Sequence, residues 1–330
     1  MALTINDTSY AGTVEAGFMV TQATFSASTI SKGVAFVKDG IKKQHVIPTL
    51  AMASGLTRRV VTPTSANSGS STVDKIILNP QTTMVYQEFL PASFEDHFYA
   101  EQLSQTLLAR ELPITFENVM MQLQLNYAFQ DVERGIHMGS AGYTTSAATR
   151  TDANHGIKDW DGIIRQLIVA GTFIPVPSPS AITAGNIMAK FQAAYSLLPK
   201  GILDDINRYN KVKFLVSIED SLLYEEATTV LTNKGNDISK AGTPMYKGYN
   251  VVALAGLPKD TFYVCRAFPD LESNIWVGTN AFEDQSFELK RLQNNSELFY
   301  LKGLMSFDVK VSKPNEFVMH TTQVAGNFTA

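Results

Sequence analysis

The longest unbroken signal in this 330-residue chain is helical. Thr115 has the side chain of a helix N-cap. After it Phe116, Val119, Met120, Leu123, Tyr127 and Val132 recur at helical spacing over about five turns, ending near Gly135 to Gly139. A stripe of that length belongs against a core rather than around a cofactor. The spacing therefore predicts a spine helix over 115–138, and the other elements have to be placed around it.

The segments before the spine are of another kind. Residues 1–50 alternate Thr, Ser, Ala and Val loosely, with Gly12, Gly17, Gly33 and Gly40 as breaks. They read as an extended arm, or as an arm with a short helix near 14–20. Segments 56–61 and 73–78 read as strands, and 62–72 between them is TPTSANSGSST, eleven residues with nothing to bury. Strand, polar tip and strand make a long hairpin projecting from the body; the same residues also suit a flexible surface loop. A further strand at 82–90 and a helix over 93–110, apolar at Phe94, Phe98, Leu103, Leu107 and Leu108, precede a break at Pro113.

Beyond the spine, 140–156 (SAGYTTSAATRTDANHG) is low in complexity and reads as loop. A helix over 160–170, a Pro-rich connector at 175–179, helices over 184–196 and 201–210 and a buried strand at 213–218 follow. With a helix over 219–231 and strands at 249–254, 262–265 and 274–277, this unit has an α+β pattern. Strand-like segments at 286–291, 297–303, 304–312 and 316–321 come last. No repeat with a period of about 20–50 residues appears, which excludes solenoids and propellers.

A chain this long buries enough surface to need no disulfide or metal staple. Hydrophobic residues make up 45% and charged residues 18%, the latter below the usual ~25% of soluble domains. That balance excludes a wholly disordered chain. With 19 Phe and 12 Tyr it points to a surface covered in an assembly. The net charge of −4 argues against general nucleic-acid affinity. Its distribution is uneven. Residues 1–75 carry seven basic side chains (Lys32, Lys38, Lys42, Lys43, Arg58, Arg59, Lys75) and four acidic ones, so they are +3 and the remainder is −7. A basic arm on an acidic body can dock on a neighbour's body or face nucleic acid. The single Cys265 forbids an internal disulfide and fits a reducing compartment. No secretory signal and no apolar run near ~18 residues is evident, so a soluble product without a membrane span is expected.

The motifs of common enzyme chemistry are missing: GxxxxGK[ST], GxGxxG after a strand, HExxH and GxSxG. Cys265, mid-strand between Val264 and Arg266, reads as a small buried hydrophobe. The five histidines (His45, His97, His137, His155, His320) show no paired ligand spacing and read as surface or capped residues. Asp152, Asn154, His155, Asp159 and Asp161 form a cluster of oxygen ligands that Ca²⁺ or Mg²⁺ could use. Gly156 comes too early for a calcium loop, however, and no glutamate closes it. A solvated turn leading into a helix explains the same residues, with Asp159 and Asp161 near the helix N-terminus. Glu219-Asp220 and Glu225-Glu226 could pose as a carboxylate pair, and read as charge on an exposed helix face. No catalytic, cofactor-binding or metal residue is assigned, no cofactor is expected, and the chain reads as a non-enzyme.

Taken in order, the elements are a basic arm, a long hairpin, a strand, a spine helix, a Gly-containing loop, an α+β unit and a return of long strands. This layout resembles that of tailed-bacteriophage major capsid proteins with the Hong Kong 97-type fold. The strand at 82–90 followed by the helix from Thr115 is similar to the family's peripheral-domain strand and spine helix. The stretch from Lys213 (KFLVSIEDSLL) resembles the axial-domain strand that runs into an acid-capped helix. The stretch from Met245 (MYKGYNVVALAGLP) resembles the family's aromatic, glycine and strand approaching a turn, with Tyr249 and Asn250 where many members place a proline. The segments from Asn274 (NIWVG) and Leu304 (LMSFDVKVSKP) resemble the late strands. The likeness spans nearly the whole chain through element order rather than through letters.

The resemblance implies an α+β, Hong Kong 97-like capsid fold. An N-terminal arm would span 1–54 and an extended hairpin 55–78. A peripheral domain would combine 79–165 with 286–313 around the spine helix at 115–138, and an axial domain 166–285 with 314–330. It implies a structural protein that self-assembles into hexamers and pentamers of an icosahedral head enclosing double-stranded DNA. Such a protein is assembled in the host cytoplasm and resides in the virion. Implied partners are copies of itself, a portal, a separate scaffolding protein and decoration proteins; packaged DNA lines the interior without sequence-specific binding, and no membrane is involved. The chain has no room for a fused scaffolding region, and no lysine lies between Arg59 and Asp74, so lysine crosslinking through the tip is not implied. An encapsulin-type nanocompartment shell, which shares the fold, and a two-domain soluble enzyme are the alternatives.

Overall fold

A computed structural model describes residues 8–9, 27–52, 71–90, 114–141, 151–152, 156–157, 159–230, 244–280, 286–292 and 295–324. Its elements in chain order begin with β1 (Thr8–Ser9), α1 (Ser28–Ser31), β2 (Phe36–Lys38), β3 (His45–Met52), β4 (Ser71–Leu78) and β5 (Gln81–Phe89). The long helix α2 (Ile114–Met138) is followed by β6 (Thr151–Asp152), β7 (Gly156–Ile157), α3 (Ile163–Ala170) and β8 (Ile174–Pro175). Then come α4 (Ile187–Ser196), α5 (Lys200–Leu203), α6 (Arg208–Lys211), β9 (Val212–Ser217) and α7 (Ile218–Val230). The last elements are β10 (Met245–Tyr246), β11 (Tyr249–Leu254), β12 (Phe262–Arg266), β13 (Ile275–Thr279), β14 (Ser286–Leu292), β15 (Asn295–Val311) and β16 (Val318–His320).

The spine is a helix of 25 residues. It begins at Ile114, which puts Thr115 inside the first turn rather than at the cap. Over its C-terminal half the buried row is Ala128, Val132 and Ile136, spaced four apart, whereas Tyr127 is 57% exposed. Tyr127 stands one position off that row, about 100° around the helix, so its ring falls outside the packed stripe. The side chains of Phe116, Val119, Met120 and Leu123 lie outside the described residues.

One sheet has the order β1-β14-β15-β13-β2, with β5 also pairing β15. Strand β15 runs 17 residues without a break, where the sequence suggested two segments. Gly303 does not interrupt it because the ladder holds it from both sides, opposite Phe287 and Val85.

The other sheet has the order β10-β11-β9-β12-β16-β8. Its strands obey a period of two. Phe214 and Val216, Phe262 and Val264, and Val318 face a cluster built with α4 and α7. Leu215, Tyr263, Cys265 and Met319 face the opposite cluster, shared with the spine. Burial on both faces is why these strands read as apolar runs rather than as alternations. Phe191 of α4 centres the first cluster, with its ring 5.0–5.5 Å from those of Phe214, Tyr224, Tyr246 and Phe262.

Residues 27–52, read from sequence as extended arm, hold α1, β2 and β3, with Ala27, Ile30, Val34 and Ala35 in the core. A four-residue helix is too short to show a period. The partner of β4 is β3, from His45↔Leu78 to Met52↔Ser71. The 56–61 strand, residues 62–70 of the tip, the helices at 14–20 and 93–110, and His97 fall outside the described residues, while Ser71 and Thr72, read as tip, open β4. Within the 140–156 loop, Thr151–Asp152 and Gly156–Ile157 form a small ladder of their own.

Candidate functional site

The hairpin of β3 and β4 is a two-stranded sheet that pairs with no third strand among the described residues. Its register puts Ile47, Ile76 and Leu78 on one face and Val46, Val73 and Ile77 on the other. At the root the first face is buried. Ile47 and Leu78 join Ile41 and Trp276, with Phe36 and Ile76 packed alongside. Gly278 packs close opposite: a Cβ there would stand 3.0 Å from Ile41 Cδ1, so that side chain would have to shift. On the second face Val46, Ile77 and Val73 are 45%, 39% and 73% exposed. Asp74 on the first face, beyond the root, is exposed as well. An isolated two-stranded hairpin is marginally stable in water, and exposed apolar faces mark contact surfaces. What this element offers chemically is an exposed apolar face.

The segment leading to the hairpin is fastened by a buried polar joint. Glu133 and His137 stand one turn apart on α2, and α1 meets them end-on. Ser28 Oγ donates to Glu133 Oε1 at 2.5 Å, Thr29 Oγ1 to the same oxygen at 2.8 Å, and Thr29 N to Oε2 at 3.0 Å. His137 Nε2 lies 2.8 Å from Thr29 Oγ1, and Nδ1 lies 2.7 Å from the Tyr263 hydroxyl. Because Thr29 spends its proton on Glu133, its oxygen accepts from Nε2–H, and Nδ1 makes the ring's other hydrogen bond to the Tyr263 hydroxyl. The ring thus ties β12 to α1 beside the carboxylate. Burial alone would raise the Glu133 carboxyl. The hydrogen bond and charge of His137, with Ser28 and the Thr29 N–H, outweigh it and hold the carboxyl at about 2. Gly256 closes the joint from the side, where a Cβ would come within 2.1 Å of Glu133 O.

Serine, histidine and glutamate in one cluster suggest hydrolytic chemistry, but the geometry is different. Ser28 is bonded to the carboxylate and not to the imidazole, and both ring nitrogens are spent on Thr29 and Tyr263. Among the described residues the only base within reach of the hydroxyl is the Glu133 carboxylate, and a carboxyl held at about 2 is too weak to activate a nucleophile. The joint holds elements together. A second one lies at the far end of the other sheet. There Lys190 Nζ donates to Ser180 Oγ at 3.0 Å and lies 2.7 Å from His320 Nε2, while His320 Nδ1 lies 3.2 Å from Asp260 O. Burial, and then the Lys190 charge, lower the His320 pKa.

The residues singled out in the sequence scatter. Asp161 takes the Ala141 N–H at 2.9 Å and pairs with Arg165, Asp152 lies in β6, and Asn154 and His155 are outside the described residues. Among the described residues no group of His, Cys, Asp and Glu could hold a metal. Cys265 is wholly buried, and burial pushes its thiol well up. His137 and His320 are buried in the two joints rather than at the surface. Glu219, Glu225 and Glu226 are exposed, but Asp220 is fully buried beneath α7, which burial reflects in a raised carboxyl pKa. Helical spacing explains the split: Asp220 shares a face with Tyr224 and Ala227, both buried. The same rule held the missed signal at Glu133 and His137, an i, i+4 pair beside buried Val132 and Ile136.

No protein-family profile matches the sequence, and no curated protein aligns with it. Solved structures do. A chain of the satellite phage P4 procapsid, a particle that includes the size determination protein, superposes with a TM-score of 0.55 at 10% identity, covering 92% of this chain and 97% of that one. The capsid of the native GTA particle gives 0.55 at 8% identity over 89% of each chain. The capsid of cyanophage P-SCSP1u gives 0.51 at 15% identity over 89% and 88%. A virus-like particle from Pyrococcus furiosus gives 0.52 at 6% identity over 93% and 98%. With mixed helices and sheets arranged as in these shells, the chain has the fold of Hong Kong 97-like phage capsid proteins.

Proposed function

We propose that this chain is the major capsid protein of a tailed bacteriophage, assembling through hexamers and pentamers into an icosahedral head around double-stranded DNA. The observation that carries this reading is the hairpin, whose second face presents Val46, Val73 and Ile77 to solvent on a fold shared with capsid proteins. A subunit gains from such an element when a neighbour covers it. The role is structural rather than catalytic, which the tied-up histidine joint supports. We assign a peripheral unit to 79–165 and 286–313 and an axial unit to 166–285 and 314–330; the second core cluster lies wholly within the axial ranges, whereas the first draws on both units and on residues 27–35. A portal, a separate scaffold and decoration proteins complete the proposed partners. No helix among the described residues is long and apolar enough to cross a membrane.

The Pyrococcus furiosus particle favours a second reading, a nanocompartment shell with protein cargo, because its likeness is of the same order. Electron microscopy of the purified protein tests both. Closed shells or hexamers are expected, and shells recovered from the producing cell should hold nuclease-resistant DNA. Protein cargo in place of DNA moves the assignment to the second reading. A protein that stays monomeric under all salt and scaffold conditions excludes both.

A further inference from the structure

At the root of the hairpin, where β2 ends, β3 begins and β4 passes into β5, a groove of about 800 Å³ opens. Lys38, Lys42, Lys43 and His45 line it together with residues 79–82, and no lining residue is acidic. Asp39 lies outside the lining, with its Oδ1 accepting the Gly40 N–H at 2.7 Å. Lys38 and Lys43 are exposed and make no ion pair among the described residues. Gly40, at φ +75°, lets the chain turn so that lysines before and after it face one space. Lys38 and Lys43, on one groove without an acidic lining residue, call for an anion.

We propose that this groove seats a carboxylate-bearing segment of a second copy of the chain, a proposal that rests on the shell reading. Charge complementarity selects that occupant. The first 75 residues are +3 and the remainder of every copy is −7. Glu225 and Glu226 of α7 are exposed on each subunit and form no ion pair among the described residues. The contact lies at the hairpin's base, so it fixes the direction in which the hairpin leaves the body.

The test uses the full chain with the double substitution K38E/K43E, and K38A/K43A as a milder pair should charge reversal disturb folding. Wild-type association, followed by light scattering, should weaken about tenfold between about 0.05 and 0.5 M salt. The variants should associate weakly throughout and lose that salt response. Zero-length carbodiimide coupling of a mixture of isotope-labelled and unlabelled wild-type chains should join Lys38 or Lys43 to an acidic residue of the other isotopic form. Three results overturn the proposal while leaving the shell reading intact: normal shells from K38E/K43E with wild-type salt response, couplings within one chain only, or duplex DNA bound by wild type and lost in the variants while assembly is unchanged. Wild-type chains that form no capsomer or shell overturn the shell reading, and the groove's role with it.

Discussion

Two ladders in this molecule are built from similar residues and live in opposite surroundings. The β9–β12–β16 ladder is apolar on both faces and covered on both, by α4 and α7 on one side and by the spine cluster on the other. The β3–β4 ladder carries Val46, Val73 and Ile77 on a face that nothing among the described residues covers. The first owes its stability to this chain alone. The second is anchored, among the described residues, at its root by Ile41, Ile47, Leu78 and Trp276, and on the proposed reading a neighbour covers the rest. Composition does not separate a strand that makes a fold from one that joins folds. The number of its covered faces does.

The sharpest way to break the contrast is at Phe191, which four other rings surround in the covered region. Phe191→Ala should lower subunit stability by about 3–5 kcal/mol in denaturant titrations. A loss under about 1 kcal/mol would mean that this cluster is not the packed core described.

Next in size is the joint between the regions. The Glu133 carboxyl sits at about 2 when folded, against an ordinary value of 4.5. A depressed carboxyl contributes stability in full above its unfolded pKa and loses it as pH falls through the folded one. About 3 kcal/mol should therefore drain away between roughly pH 5 and pH 2. Unfolding free energies of wild type and Glu133→Gln across that window should show a slope in the former that the latter lacks. Parallel slopes would remove the joint from the acid response.

The smallest expected effect on the subunit is at the open ladder. Val73→Ser should shift the denaturation midpoint by no more than about 0.5 kcal/mol, because the side chain is 73% exposed. The same substitution should reduce shell yield in micrographs. A large loss of subunit stability would show that this chain covers the hairpin itself.

How much of this was legible beforehand depends on length and on local period. The spine announced itself because 25 residues give room for a stripe to repeat, and the strands at 249–254 and 262–266 because burial on both faces makes them continuous apolar runs. The hairpin was anticipated, but its first strand was sought at 56–61, where Leu56, Val60 and Val61 are apolar, rather than at His45–Met52, where Pro48 interrupts the pattern. Proline gives no N–H to a ladder and is tolerated in strands mainly at edges, so its presence hid an edge strand. The polar joints were legible only at one end, in the i, i+4 spacing of Glu133 and His137. Ser28 and Glu133 are 105 residues apart, as are few local patterns, and only the fold brings them together.

Cys265 has a practical consequence. The chain's one thiol lies in the middle of β12, without solvent exposure, and burial keeps it protonated. Since the thiolate is the reacting form, alkylating dyes should pass the folded subunit by. The native protein then behaves as a cysteine-free background, and a cysteine introduced at Val73 or at Lys43 becomes the only one to take a label. A fluorophore or spin probe at either place can report, without further mutation, when a second subunit arrives.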